Sequence, residues 1–265
     1  MPAIEDDVAR VISLRPFLLL LTLLPSGVAV LGGTPTITLA GSSTTTRVLM
    51  VHKSGVEDSQ GVEIHLLPTG SGRGLVELDV GRADAAMLSG PVDYLLAKVN
   101  ATTPTSLRVE QLEQLKLAAT PKADVVALLH PSNSLRHLTL DEFRRILIGE
   151  ITNWSALGGP DRPIVLILPD ELDGVRATVA TAVLKGRSFS DAARIVEKTG
   201  DIPSLVAGMP GAISVLARVA LPPDAKWAEV EPILNVPLYI VARRDRLETD
   251  TKLEMVLNSL HSRAR

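Results

Sequence analysis

The sequence contains no cysteine and few aromatic residues, and neither sign of charge dominates it. With no cysteine among 265 residues, disulfides, thiol nucleophiles, thiolate metal sites and a lipid-modified cysteine are excluded. Aromatic residues make up 3% of the chain, which is too few for the stacking surfaces of single-strand nucleic-acid binders. The formal net charge of −3 also gives no sign of a basic surface, so we expect no nucleic-acid partner. These absences favour a small polar ligand.

The sequence does contain enough apolar residues to build substantial cores. Hydrophobic residues make up 46% and charged residues 22% of the chain, which suits one large or two modest domains. Short apolar segments rich in branched residues alternate with helical patterns, and this alternation predicts an α/β fold with open, largely parallel sheets. The predicted strands cover residues 36–41, 62–67, 84–89, 123–130, 163–169, 212–218 and 236–243.

Three helices are marked by their end signals. Thr139 and Glu142 have the spacing of a capping box, and a second helix is expected to begin with Asp201 as its cap. A last helix is expected from about Asp250, because apolar residues recur there on one face. The apolar positions that we expect to be buried are Phe143, Ile146 and Leu147 in the first helix and Leu253, Val256, Leu257 and Leu260 in the last.

The N-terminus carries a short apolar run, PFLLLLTLL at 16–24. It is broken by Pro25 and is shorter than the roughly 20 residues of a membrane-spanning helix. We therefore predict that residues 1–29 are a secretory signal peptide removed on export. An uncleaved membrane anchor is the alternative, because the positive charges of Arg10 and Arg15 are offset by Glu5, Asp6 and Asp7.

Two segments with turns rich in small residues stand out, AGSSTTTRV at 40–48 and PTGSGRGLVELDVGRADAAMLSG at 68–90. Each leaves a predicted strand and opens a predicted helix, where unpaired backbone N–H groups and hydroxyls can receive an oxyanion. Two such turns in one half of the chain predict one shared anion cleft.

No pattern in the sequence indicates catalysis or a metal site. There is no G-x-S-x-G, H-E-x-x-H or Walker motif. The histidines also show no helical pairing, and we expect neither a metal, nor a cofactor, nor an enzyme; they are His52, His65, His130, His137 and His261.

The order of the segments adds a resemblance that covers nearly the whole chain after residue 29. AGSSTTT is followed by TGSGRG and GRADAAMLS, then by LTLDEFRRILIGEITNWSALGGPDRPI, MPGAISVLARV and VPLYIVAR. In this order the sequence resembles the phosphate-binding proteins of ABC phosphate transporters, a family of type II periplasmic binding proteins. The segment GEITNWSALGGPDRPI is the most specific part of the likeness.

The resemblance implies two α/β lobes joined by two hinge strands, with the ligand closed between them. By that likeness the first lobe would comprise residues 34–125 and 232–265, and the second lobe residues 126–231. It further implies a monomeric periplasmic receptor that binds a small oxyanion, phosphate above all, and delivers it to the membrane subunits of an ABC permease. A sensor or scaffold on the same fold, with an altered cleft, is the alternative.

The resemblance also implies ligand-binding residues in the first lobe. Carried over by position, these are Thr44, Thr45, Ser71, Gly72 and Ser89. Hydroxyls and N–H groups suit an oxyanion because they replace its hydration shell without adding a mobile counter-charge. The plainer interpretation is that the threonines and serines cap helices or strand ends and that the glycine only makes the turn.

In the second lobe the sequence departs from the family pattern of an Arg followed by Ser-Gly-Thr at a helix start. In LPDELDGVRATVATAVL, Pro169 stands where the Arg is expected, Asp173 replaces the Ser, and Val175 replaces the Thr. Only Gly174 is retained, and the ligand-binding candidates of this lobe are Asp173, Gly174 and Arg176. Three of the four expected ligand positions are therefore changed.

The replacement by Asp173 bears directly on anion binding. An ionised carboxylate about 4 Å from a phosphate dianion is repelled by roughly 8 kcal/mol at an effective dielectric constant near 20. Asp173 could instead cap the following helix and point away from the ligand, or receive a cation or hydroxyls of another ligand. Arg176 or Arg73 would then supply the lost positive charge, unless both are solvated surface residues.

Overall fold

The structure is a computed structural model that describes residues 33–118 and 123–265. Residues Thr34–Arg265 form one compact unit. The predicted signal peptide lies outside the described residues. Among those that are described, no helix combines the length and apolar character needed to cross a bilayer.

The described ranges contain eleven strands and eight α-helices. The strands are β1 (Thr36–Gly41), β2 (Glu63–Leu67), β3 (Ala85–Ser89), β4 (Leu112–Lys116), β5 (Val125–Leu129), β6 (His137–Thr139), β7 (Val165–Pro169), β8 (Arg194–Val196), β9 (Ala212–Ala217), β10 (Trp227–Glu231) and β11 (Leu238–Arg243). The helices are α1 (Ser43–Gln60), α2 (Ser71–Asp79), α3 (Val92–Thr102), α4 (Leu140–Leu147), α5 (Gly174–Val179), α6 (Ile202–Ala207), α7 (Arg244–Thr249) and α8 (Thr251–Arg263). Each of the seven predicted strands is present.

The strands form two mixed sheets, with orders β2-β1-β3-β11-β4 and β6-β10-β5-β9-β7-β8. The α/β prediction is confirmed, and five of the nine strand pairings are parallel as expected, but four are antiparallel. In the first sheet β11 runs antiparallel to β3 and β4, and in the second β5 runs antiparallel to β9 and β10. Both strands enter from the other sheet and do not follow a βαβ crossover, which is the connection that enforces parallel pairing.

Two connections join the sheets and lie side by side. The chain leaves the first sheet after β4 to form β5, and it returns after β10 to form β11. The two connections exchange backbone hydrogen bonds, from the Val125 N–H to the Leu234 carbonyl at 2.7 Å and from the Val236 N–H to the Ala123 carbonyl at 2.8 Å. A hinge at this place, and the lobe boundaries drawn from it, remain proposals.

The helix-end signals explain much of the local structure. Thr139 and Glu142 form the predicted capping box at the start of α4, and the side chain of Asp250 accepts a hydrogen bond from the Leu253 N–H at the start of α8. Asp201 precedes α6 as predicted, but its side chain makes no capping hydrogen bond. The apolar faces of α4 and α8 are buried as expected, at Phe143, Ile146, Leu147, Leu253, Val256, Leu257 and Leu260.

The segment GEITNWSALGGPDRPI forms a turn that is held in place by one buried side chain and by hydrogen bonds. Trp154 is 1% exposed and donates its indole N–H to the Gly211 carbonyl at 2.9 Å. The Asn153 side chain accepts hydrogen bonds from the backbone N–H groups of Ser155 and Arg162. A buried indole with a satisfied N–H anchors this turn to the second sheet, which gives the segment a scaffolding role.

Candidate functional site

The first predicted turn brings the start of α1 against β3. The hydroxyl of Ser42 caps α1 by accepting hydrogen bonds from the N–H groups of Thr44 at 3.1 Å and Thr45 at 3.2 Å. Because β1 and β3 are parallel neighbours, their carboxyl ends and this turn meet at one edge of the sheet. The hydroxyl of Thr45 donates to the Leu88 carbonyl at 2.8 Å, so it ties α1 to β3.

Three buried serines from three chain segments meet at this edge. Ser89, the last residue of β3, lies with its Oγ 2.9 Å from that of Ser42 and 3.2 Å from that of Ser71. The Ser89 N–H also donates to the Ser71 hydroxyl at 3.1 Å. The structure therefore brings the predicted Ser71 and Ser89 together, and much of their hydrogen-bonding capacity is used within the cluster.

The loop before α5 packs directly on this cluster. The Gly72 N–H donates to the Leu172 carbonyl at 3.0 Å. A Cβ added at Gly174 would lie 1.4 Å from the Ser89 carbonyl oxygen, so no side chain fits at that position. The end of β3, the start of α2 and the segment 172–174 at the start of α5 are thus in close contact at one point.

Asp173 both caps α5 and faces the cleft beside this contact. Its Oδ1 accepts hydrogen bonds from the N–H groups of Val175 at 2.9 Å and Arg176 at 3.0 Å, and its Oδ2 accepts one from the Thr199 hydroxyl at 3.2 Å. Burial raises the pKa of the Asp173 carboxyl, and these three hydrogen bonds offset part of that rise. The sequence offered capping and facing the ligand as alternatives for Asp173, and in the structure the residue both caps α5 and lines the cleft.

The two candidate arginines differ in position. Arg176 donates to the Pro169 carbonyl at 2.7 Å and lies 5.0 Å from the centre of the Phe189 ring, and burial lowers its pKa. Arg73 lines the cleft, where its guanidinium is 3.0 Å from the carboxylate of Asp170. Of these two arginines, only Arg73 brings its positive charge into the cleft, while Arg176 is held by Pro169 and Phe189 outside the cleft lining.

These residues border a cleft of about 950 Å³. Three of the eight predicted ligand residues line it, and they are Thr44, Ser71 and Asp173. The other five do not line the cleft, and each contacts a residue of the surrounding strands, helices or loops instead; they are Thr45, Gly72, Ser89, Gly174 and Arg176.

Three further lining residues were not identified from the sequence. Arg47 and Lys198 are exposed cations in the cleft and form no ion pair with any described residue. Thr69 has a buried hydroxyl without a hydrogen-bond partner in the described part of the chain. Arg47 follows directly on AGSSTTT and Thr69 opens TGSGRG, so both were visible in the predicted turns; nothing local marked Lys198.

Charges of both signs line the cleft, and one wall is apolar. The cations are Arg47, Arg73 and Lys198, and the carboxylates are Asp170, Asp173, Glu197 and Asp201. The apolar wall is formed by Leu216, Leu221, Pro222 and Pro223. The cleft can therefore bind an anion at its α1 and α2 side, and it also offers acceptors to hydroxyls or a cation on the opposite side.

Comparison with known proteins gives relatives of two kinds. The phosphate-binding protein PstS of Bacillus subtilis is 28% identical over 190 residues, which cover 71% of this chain and 59% of that protein. This chain thus spans less than two thirds of that relative's length. A phosphate ABC transporter substrate-binding protein of Clostridium perfringens, solved with bound phosphate, superposes with a TM-score of 0.65 at 20% identity, over 85% of this chain and 98% of the other.

The same fold also occurs in regulators. CbnR, a LysR-family transcriptional regulator, superposes with a TM-score of 0.57 at 13% identity, over 87% of this chain and 70% of that one. At these identities the structural likeness shows the fold alone. A family description, PBP superfamily domain, matches residues 29–220, more than half of the sequence. The chain therefore belongs to the PBP superfamily.

Proposed function

We propose that this protein is an extracytoplasmic solute-binding receptor that captures a small oxyanion, phosphate first among the candidates, for an ABC transporter. The observation that carries the proposal is the group of hydrogen-bond donors on one side of the cleft. The hydroxyl-bearing residues Thr44, Thr69 and Ser71 line this side, and so do Arg47 and Arg73 with their guanidinium groups. The PstS relative, by its name, binds phosphate.

Two of these donors, Thr69 and Arg47, have no partner among the described residues and are therefore available to a ligand. A buried hydroxyl without a partner, as at Thr69, costs about 1–3 kcal/mol unless a ligand or water satisfies it. Arg47 has no carboxylate partner among the described residues, so it can bind an oxyanion without first breaking an ion pair. A guanidinium binds a phosphate through two parallel hydrogen bonds.

The transport role rests on the two-sheet architecture. A ligand that touches both sides of the cleft stabilises only the closed form, and a permease can read that form. Export through the predicted signal peptide at 1–29 and division into lobes at 34–125, 126–231 and 232–265 belong to this proposal. So do the monomeric state and the absence of catalysis.

A second candidate is a sensor or scaffold with an altered cleft, and Asp173 favours it. Its carboxylate lines the cleft, and the Ser42, Ser71 and Ser89 hydroxyls hydrogen-bond to one another. A ligand with hydroxyls or a positive charge would suit Asp173 better than a phosphate dianion, because opposite charges attract and carboxylates accept hydrogen bonds.

Thermal denaturation with phosphate, sulfate, arsenate and molybdate separates the two. At about a thousandfold excess over its dissociation constant, a bound anion stabilises the protein by roughly 4 kcal/mol. We expect phosphate to raise the melting temperature, and Arg47→Gln to abolish most of the rise. Arg108→Gln is the matched control, because Arg108 is an exposed arginine outside the cleft.

The outcomes are distinct. No shift with any of the four anions would refute the oxyanion receptor and favour the sensor. An equal loss of the shift in Arg47→Gln and Arg108→Gln would show that the anion acts through general charge screening, which would refute the assignment of the cleft.

A further inference from the structure

A histidine and two glutamates form a compact group on the second sheet, remote in sequence from the cleft turns. His137 lies on the edge strand β6, and Glu229 and Glu231 lie on the adjacent strand β10. Glu229 is the register partner of His137 in the parallel pairing, so the two side chains leave the same face. Glu231, two residues further on, returns to that face because side chains alternate along a strand.

The two distances from the histidine exceed those of ordinary hydrogen bonds and are close to the separation of two ligands on one metal ion. The His137 Nδ1 atom lies 3.6 Å from a Glu229 carboxylate oxygen and 3.3 Å from a Glu231 carboxylate oxygen. Nitrogen–oxygen hydrogen bonds are about 2.7–3.2 Å long. Ligand atoms at the corners of a tetrahedron with zinc bonds of about 2.1 Å lie about 3.4 Å apart. One ligand atom from each residue lies within 4.8 Å of the other two.

The position of the group also favours a bound ion. Two of its members, His137 and Glu229, line a surface pocket of about 290 Å³ together with Arg136 and Lys226, so an ion there would retain a side open to water, and the two carboxylates must outweigh these two cations. All three ligands stand on hydrogen-bonded strands, which hold their backbone positions more firmly than a loop does.

We propose that His137, Glu229 and Glu231 form a surface site for a divalent transition-metal ion, with Zn²⁺ as the best match. One imidazole nitrogen and two carboxylate oxygens are ligands that Zn²⁺ accepts, and three protein ligands leave a fourth position for water. Two carboxylates and a neutral imidazole also neutralise the charge of the ion. The site does not depend on the anion cleft, since none of its three residues lines that cleft.

The test is a titration of the full chain with Zn²⁺ against a chromophoric chelator, repeated with Co²⁺ to follow its visible absorption. We expect binding to saturate near one equivalent, with the intense Co²⁺ bands of a four-coordinate site. His137→Ala should abolish this binding, and Glu231→Gln should weaken it by about tenfold or more. Both side chains are exposed, so the variants should fold, and their circular dichroism and melting temperatures would establish this.

The matched control is His65→Ala. His65 is also a strand histidine beside a glutamate, with its Nε2 2.9 Å from a carboxylate oxygen of Glu63, but it is not part of a three-ligand group among the described residues. We expect His65→Ala to bind Zn²⁺ as the parent does. Failure of the parent chain to bind, unchanged binding in His137→Ala and Glu231→Gln, or equal loss in His65→Ala would each overturn the proposal.

Discussion

Replacing Gly174 by alanine tests whether the contact between the start of α5 and the end of β3 sets the geometry of the cleft. The new Cβ would lie 1.4 Å from the Ser89 carbonyl oxygen, 2.4 Å from its carbonyl carbon and 2.5 Å from its hydroxyl oxygen. Cβ atoms essentially never approach another atom within 3.0 Å. The two segments must therefore separate by at least 1.6 Å.

The cost of this separation can be bounded. Forcing an extra carbon into a packed interior costs about 1–3 kcal/mol. Separation also weakens the hydrogen bond from the Gly72 N–H to the Leu172 carbonyl, and a hydrogen bond of this kind contributes about 1 kcal/mol. Together these costs come to about 1–4 kcal/mol. At roughly 2–4 °C per kcal/mol for a chain of about this size, we expect Gly174→Ala to lower the melting temperature by about 2–16 °C.

The assay is thermal denaturation by circular dichroism, together with small-angle X-ray scattering to detect a wider cleft. Gly200→Ala is the control, because Gly200 also lines the cleft and an added Cβ there meets nothing within 4 Å. If Gly174→Ala melted with Gly200→Ala and the parent protein, and scattered as they do, the close approach of α5 to β3 would not govern this region.

Three further predictions concern single side chains. Burial raises the pKa of Asp173 in the folded state above its unfolded value near 3.9. Between these two values the folded state binds more protons than the unfolded state, so the free energy of unfolding falls as pH rises through this window. Urea denaturation should therefore show Asp173→Asn to be more stable than the parent above that window, with the difference vanishing as pH falls below about 3.9; a constant difference at all pH values would contradict this. Thr69→Val should keep or increase stability without ligand, since the lost hydroxyl has no partner among the described residues. It should also lower the affinity for the captured anion, as measured by calorimetry. A loss of stability with unchanged affinity would disprove this role. Thr139→Ala should lower the free energy of unfolding by about 0.5–2 kcal/mol in urea, because Thr139 caps α4; an unchanged value would refute the contribution of the capping box.

The sequence by itself determined the features that depend on near neighbours in the chain. The start of α4 at Thr139 and the cap of α8 at Asp250 follow from contacts within three residues, and the apolar stripes of these helices predicted their buried faces. The turns at Ser42 and Ser71 were predicted because small polar residues between a predicted strand and a predicted helix are typical of a helix N-terminus.

Tertiary structure decided the features that depend on segments far apart in the chain. The directions of β5 and β11 follow from their entry out of the opposite sheet, which no local periodicity records. Arg73 lines the cleft and Arg176 does not, although both are arginines near the start of a helix. His137 meets Glu229 and Glu231 only because β6 pairs with β10. Helix caps and strand patterns are local interactions, whereas the identity of a site depends on which distant side chains the two sheets bring to the same place.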